Sequence, residues 1–439
     1  MSPFKVISPS YIRRRLNMPR ISLFCLLWTM VSITIAQPLP EHLQVSTLVA
    51  EVLNRNPDLP AMRAAWQAAK AKVDQERSFD DPVLSYGFAP RTIDRKGLDF
   101  GQTAALSLRL PWPGKLALAG QAAELEADAA GNDVESVRLH LIEATRSAFA
   151  DWYFIHRALE INRDDRKLLK QIRRLAELRY ASGSASRQDA LQVKVETALL
   201  DHRQIVLERR RHKILARLNT LLLRTPDEPL PPPDTLPKTP AVPPLDHLRD
   251  LALGRHPALR ALAVRRQANQ RREALAKRQF FPDLTLRTAY NSLWNDEQKR
   301  LSVGASINLP LPGRRRARLD QVRAQGLRLA SQWQSQRARI LEVLQRRYEE
   351  VVESEHVIRL YRKRLLPLAE DNLATARADY ASGAGDFVDL LGAEKHLSGV
   401  RLQLARSLSE HFRRMAALER LTGGPKDPAV EIFAGEERP

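Results

Sequence analysis

Sulfur is nearly missing from this chain: 439 residues hold one cysteine, Cys25, and five methionines. A single thiol excludes any internal disulfide and any cluster of thiolate metal ligands. Aromatic residues amount to 6%, and no segment reads as the aromatic-studded strand of a nucleic-acid platform. There is no zinc-ligand spacing, no Gly-x-Ser-x-Gly turn and no glycine-rich phosphate loop, so the sequence offers an enzyme nothing to work with. No cofactor is implied. Beyond the N-terminal region no apolar run reaches the roughly 20 residues of a membrane-spanning helix. Any part inside a lipid layer must therefore be built from strands.

What the chain does have is positive charge, +19 formally, with 28% charged residues. Such a balance suits an anionic surface or nucleic acid, but arginines recur along every predicted helix and form no single patch. Nucleic acid is not an expected partner. Arg13, Arg14, Arg15 and Arg20 precede an apolar run from Ile21 to Ile35, followed by Ala36-Gln37. A basic start, a short apolar core and small residues at its end form a secretory signal peptide, residues 1–36. Cys25 would leave with it, and Leu23-Phe24 lacks the small residue that a lipoprotein signal needs before its cysteine.

The dominant feature is a duplication with a period of roughly 200 residues. Asn56-Pro57-Asp58-Leu59 recurs as His256-Pro257-Ala258-Leu259, and Asp81-Pro82-Val83-Leu84 as Phe281-Pro282-Asp283-Leu284. Leu110-Pro111-Trp112-Pro113-Gly114-Lys115 recurs as Leu309-Pro310-Leu311-Pro312-Gly313-Arg314, and Tyr180-Ala181-Ser182-Gly183 as Tyr380-Ala381-Ser382-Gly383. The expected organisation is a first repeat over 37–224, a proline-rich linker over 225–245, a second repeat over 246–424 and a tail over 425–439. Nine prolines between Pro226 and Pro244 make the linker extended and semi-rigid.

Within each repeat the hydrophobic period changes twice. Helical stretches over Ser46–Phe79 and Asp246–Phe280 are interrupted at Pro57 and Pro257, each suited to the first turn of a new helix. Period-two segments follow. Leu84, Tyr86 and Phe88 form the first, and Leu106, Leu108 and Leu110 the second. Leu284, Leu286 and Tyr290 form the third, and Leu301, Val303, Ala305, Ile307 and Leu309 the fourth. Polar loops at Arg91–Asp99 and Asn295–Arg300 join them into two hairpins. Long helical regions come next. Gly114 to Ala181 alone would span about 100 Å, a length suited to coiled coils and helical tubes. Pro367 should kink or break the second of these helices.

Four strands with one apolar face leave two open edges, and unpaired edge groups in lipid cost several kcal/mol each. A small soluble sheet packed on a helix is one solution. The other is a barrel shared between subunits, which the signal peptide and the helix length favour. Two copies would give eight strands and a filled interior; three would give twelve and a lumen.

These motifs, duplicated and in order, resemble the TolC family of outer-membrane efflux proteins from about Leu43 to Gly424. Leu366-Pro367-Leu368-Ala369 and Leu418-Glu419-Arg420-Leu421-Thr422-Gly423 add to the likeness. The resemblance implies a mixed α and β membrane protein. It would be a homotrimer with a twelve-stranded β-barrel in the lipid of the outer membrane and a long α-helical barrel across the periplasm. It further implies a passive exit duct served by a periplasmic membrane-fusion adaptor and a proton-driven inner-membrane efflux pump. Compact length and the Pro-Gly-Lys and Pro-Gly-Arg turns resemble the branch that handles heavy-metal cations. Drug efflux and type I protein secretion are the alternatives, and a soluble periplasmic coiled-coil adaptor is an alternative of another class.

On this resemblance the turns Tyr180–Asp189 and Tyr380–Asp389 are the periplasmic tips. Tyr180, Gly183, Ser186, Asp189, Tyr380 and Gly383 would belong to the adaptor-docking surface, and Asp389 and Asp386 to the entrance. Gly392 stands where the family has a further carboxylate. A ring of carboxylates around an opening attracts cations. The plain alternative is that Asp189 and Asp389 are first-turn acids favoured by the helix dipole, with Gly183 and Gly383 as helix C-caps. His140, His156, His202 and His212 read as helix-surface residues, and no metal site is expected.

Overall fold

The computed structural model describes residues 42–93, 100–183, 186–294 and 296–424. The signal peptide, the C-terminal tail and most of the Arg91–Asp99 loop lie outside the described residues.

Each repeat opens with two helices, α1 (Val45–Arg55) and α2 (Asp58–Arg77) in the first, α5 (Leu245–Arg255) and α6 (Pro257–Arg278) in the second. The break between them is made the same way twice. Asn56 Oδ1 accepts from the Asp58 N–H at 3.0 Å, and His256 Nδ1 accepts from the Ala258 N–H at 3.2 Å. Each caps a helix whose next residue, proline, has no N–H to satisfy.

Strands β1 (Val83–Phe88), β2 (Gln102–Leu110), β3 (Leu284–Asn291) and β4 (Leu301–Ile307) form one antiparallel sheet in the order β1-β2-β3-β4. The repeats meet at β2 and β3, with Leu108 opposite Leu286 and Leu110 opposite Leu284. Leu309, expected in the fourth strand, falls outside β4; Asn308, just past the strand end, accepts from the Asp283 N–H through its side chain at 2.6 Å.

Helix α3 (Lys115–Ala181) runs 67 residues without a break and returns as α4 (Arg187–Leu221). In the second repeat α7 (Pro312–Leu360) passes through a π-helical turn at Tyr361–Leu365 into α8 (Leu366–Ser382), and α9 (Phe387–Leu421) returns. The wide turn directly precedes Pro367, whose ring cannot fit behind an ordinary i−4 carbonyl.

Two equivalent cores hold these helices. Leu48, Val52, Leu59, Phe149, Trp152 and Leu218 pack in the first, and Leu248, Leu259, Leu344, Val351, Met415 and Leu418 in the second. The linker lies along both. Leu43 and Pro233 form a parallel bridge, Trp152 Nε1 donates to the Pro231 carbonyl at 3.0 Å, and His411 joins Thr239 to Ser354 through its two ring nitrogens, 2.8 Å each. Burial, and then the charge of Arg414, bring the His411 pKa down to about 4, so the ring is a neutral tie.

Candidate functional site

The sheet has one apolar and one polar face. Antiparallel partners share a face, so Leu84 and Leu106, Leu286 and Ala305, and Tyr290 and Leu301 stand together. This face is bare: Leu84 is 75% exposed, Val303 79% and Leu301 64%. Ser85, Ser107, Arg109, Thr285, Arg287 and Ser306 hold the opposite face. Aromatic residues gather at both ends of the strands. Phe88 and Phe100 stack at 6.4 Å near the hairpin loops, and Trp112 and Phe281 at 5.3 Å near the helices. Edge strands β1 and β4 each pair on one side only.

A charged knot joins sheet to helix. Asp283, nearly buried, accepts from Lys115 Nζ at 2.7 Å, from an Arg109 guanidinium N–H at 2.6 Å and from the Trp112 N–H at 3.0 Å. Burial alone would raise its pKa; the bonds from Lys115, Arg109 and Trp112 outweigh that and hold it at about 2. Lys115 is itself buried and also donates to the Phe281 carbonyl at 2.8 Å.

At the other end of α3 the tips are built from short-range capping. Gly183 and Gly383 take φ of 74° and 89° beyond the ends of α3 and α8, a conformation that a side chain disfavours. Ser186 caps α4, accepting from the Gln188 N–H at 3.1 Å and donating to Asp189 Oδ1 at 2.9 Å. The other oxygen of Asp189 accepts from the Tyr380 hydroxyl at 3.3 Å. Tyr380 is 2% exposed. Its ring meets Phe387 edge-on at 5.5 Å and lies under the Arg179 guanidinium, 4.6 Å away, while Arg179 donates to the Tyr380 carbonyl at 2.5 Å. Burial first, and then Asp189, push the Tyr380 hydroxyl up to about 12.

The side chain of Tyr380, expected at the docking tips, is turned inward. Its hydroxyl and ring are consumed inside the chain, whereas Tyr180, in the identical Tyr-Ala-Ser-Gly motif, is 51% exposed. Gly183, Ser186 and Gly383 are exposed. Asp386 precedes α9 and Asp389 lies in its first turn, both exposed and without an ion pair among the described residues. Asp189, by contrast, is tied to Ser186 and Tyr380. Nothing lies within 4 Å of a Cβ built on Gly392, so that position has open space around it.

Two buried carboxyls went unforeseen. Asp165 of α3 accepts from the Ser398 hydroxyl at 2.5 Å, with Arg203 3.8 Å away. Glu394 is 4% exposed; burial, then the charges of Asp165 and Glu196, push its carboxyl up to about 7. The expectation for His156 also needs correcting. It sits edge-on to Trp152 at 4.4 Å, and burial, then Arg211 and Arg163, bring its pKa to about 4. His140, His202 and His212 are exposed, and no group of three potential ligands to a metal occurs among the described residues.

A duplicated chain that joins long helical hairpins to a sheet with a bare apolar face has the build of an outer-membrane channel subunit. The profile of the outer membrane efflux protein family matches residues 48–222 and 248–424. The chain belongs to this TolC-like family of channels, which is not a family of enzymes, and resides in the outer membrane with a helical periplasmic extension. Nodulation protein T of Rhizobium leguminosarum bv. trifolii is 22% identical over 333 residues, 71% of this chain and 69% of the relative. Among solved structures, the outer-membrane channel OprN superposes with a TM-score of 0.74 at 22% identity, over 87% of this chain and 90% of OprN. VceC from Vibrio cholerae gives 0.73 at 22% identity, over 87% of this chain and 96% of VceC. CusC gives 0.74 at 19% identity, over 87% of this chain and 92% of CusC.

Proposed function

We propose that three copies pair β1 of one subunit with β4 of the next, closing a twelve-stranded barrel whose apolar face meets lipid and whose polar face lines a lumen. The observation that carries this is the sheet itself, with a bare apolar face and two unpaired edges. Lipid can cover the apolar face, but the two unpaired edges and the polar face cannot stand in a lone subunit within a bilayer. The paired aromatic groups at the two strand ends fit the girdles at the two lipid interfaces. On α4, Leu191, Val195, Leu199 and Val206 form an exposed apolar stripe, each more than half exposed, as a helix packed against a neighbouring subunit requires.

The repeats, 37–224 and 246–424, would each supply one hairpin of a helical tube, so that solute passes from a proton-driven inner-membrane pump to the exterior. Tyr180, Gly183, Ser186 and Gly383 fit the adaptor contact, and Asp386 and Asp389 fit the entrance. Heavy-metal cations, the cargo implied by the Pro-Gly-Lys and Pro-Gly-Arg turns, find a match in the sign of those two carboxylates. Charge at the barrel end opposes that cargo.

The test is fractionation followed by electrophoresis. A membrane-bound, heat-modifiable trimer that conducts in planar bilayers is expected; a soluble periplasmic monomer would end the reading and favour an adaptor or scaffold.

A further inference from the structure

The polar face of the sheet ends in a cleft of about 960 Å³, whose floor includes Arg109, Asp283 and Asn308. By register these three continue the polar face: Arg109 pairs with Thr285, while Asp283 and Asn308 lie one residue outside Leu284 and Ile307. The walls come from the ends of α2 and α6 and the starts of α3 and α7.

Five cationic side chains line the cleft against three carboxylates. Two of the cations, Arg109 and Lys115, are held by Asp283, and Arg109 also lies 3.6 Å from Asp80. Arg314, Arg315 and Arg318 remain, with no ion pair among the described residues. The side chain of Arg318 donates to Gln321 at 2.8 Å. Further along the same face Arg287 is exposed and likewise has no ion pair among the described residues.

Helix physics does not account for this placement. Four arginines, Arg314, Arg315, Arg316 and Arg318, crowd the first two turns of α7, where the helix dipole opposes positive charge. The first repeat keeps the same Pro-Gly turn but starts α3 with Lys115-Leu116-Ala117-Leu118, and its one cation is buried on Asp283. The second repeat thus departs from its twin in the direction that costs local stability, and no ion pair among the described residues compensates.

We propose, on the strength of the duct reading above, that this cationic vestibule makes the barrel end anion-selective and that the cargo crossing it is an anionic solute. In a three-fold assembly each arginine becomes a ring, and rings of arginine select anions. Charges on a lumen wall add within a Debye length of about 8 Å. Asp386 and Asp389 bear the opposite sign, but the length of α3, about 100 Å, separates the tips from the vestibule. Screening leaves them no hold on it.

Full-length protein in planar bilayers, under a tenfold KCl gradient, tests this with chloride and potassium as probes. Wild type should pass chloride in preference to potassium. The triple variant Arg287→Gln, Arg314→Gln, Arg315→Gln should lower the chloride-to-potassium permeability ratio at least about twofold while still conducting. Arg316→Gln, outside the cleft, should leave the ratio unchanged. A potassium-preferring wild type, an unmoved ratio in the triple variant, or an equal shift from Arg316→Gln overturns the inference and spares the duct. Absence of any channel overturns the duct, and the inference falls with it.

Discussion

The hydroxyl of Tyr380, at the end of α8, donates to the carboxylate of Asp189, in the first turn of α4, and with the bond from Arg179 to the Tyr380 carbonyl it ties the tips of the two repeats together. Tyr380→Phe removes the bond to Asp189 and keeps the ring packed on Phe387 and under Arg179. The loss should be about 1 kcal/mol, with the fold retained and conductance through the resting channel raised. Planar-bilayer recordings check it, and a variant as closed as wild type would show that the tie does not hold the tips.

Glu394 gives a pH signature. Its carboxyl is near 7 in the folded chain, above the 4.5 of an ordinary glutamate, so the folded state holds a proton that the unfolded state releases. Stability from this group is present below about 4.5 and falls as pH rises through 7. Glu394→Gln should raise stability by about 2 kcal/mol at pH 8 and hardly at all at pH 4. Thermal unfolding of the detergent-solubilised protein at both values measures the difference.

Asp283 behaves in the opposite sense. With its pKa near 2, against 3.8 for an ordinary aspartate, its contribution is present above about 4 and is lost as pH falls through 2. Asp283→Ala leaves Lys115 buried without a carboxylate, at a cost of about 3 to 5 kcal/mol. The amount of trimer in the outer membrane should drop sharply. Replacing both members, with Lys115→Met added, should recover most of it.

The two faces of β4 should respond differently to charge. Val303→Arg places a cation on the face assigned to lipid and should destabilise by about 2 to 4 kcal/mol if it lies near the midplane. Ser302→Arg, one residue earlier on the polar face, should assemble normally. Equal losses from both would contradict the assigned sides.

Asp386 and Asp389 should attract multivalent cations to the entrance. A divalent cation added on the periplasmic side is expected to block current, and the double variant Asp386→Asn, Asp389→Asn should weaken block about tenfold. Unaltered block removes both residues from the entrance.

Much of the architecture was readable because it is periodic. Leu84, Tyr86 and Phe88 announce β1 by alternation, the run from Gly114 to Ala181 announces α3, and Pro367 marks the break that appears as the π-helical turn at Tyr361–Leu365. The site was less legible because it depends on what meets across the repeats. Tyr180 and Tyr380 share a motif, yet only Tyr380 finds Phe387, Arg179 and Asp189 around it. Asp283 did leave a trace, a carboxylate where the first repeat has Val83. Glu394 left none: its burial comes from the packing of α9 on α3, and in a sequence a buried helical glutamate looks like an exposed one. The arginines seemed evenly spread along the chain, and only strand register sorts Arg109 and Arg287 onto one face.

The wide turn at Tyr361–Leu365 makes the twin hairpins mechanically unequal. The first repeat sends one continuous rod to its tip, while the second has a joint partway along, where backbone bonding is already loosened. A pull applied equally to both tips would bend the jointed arm and leave the rod standing. In the proposed ring of three subunits, that would set three yielding staves between three stiff ones.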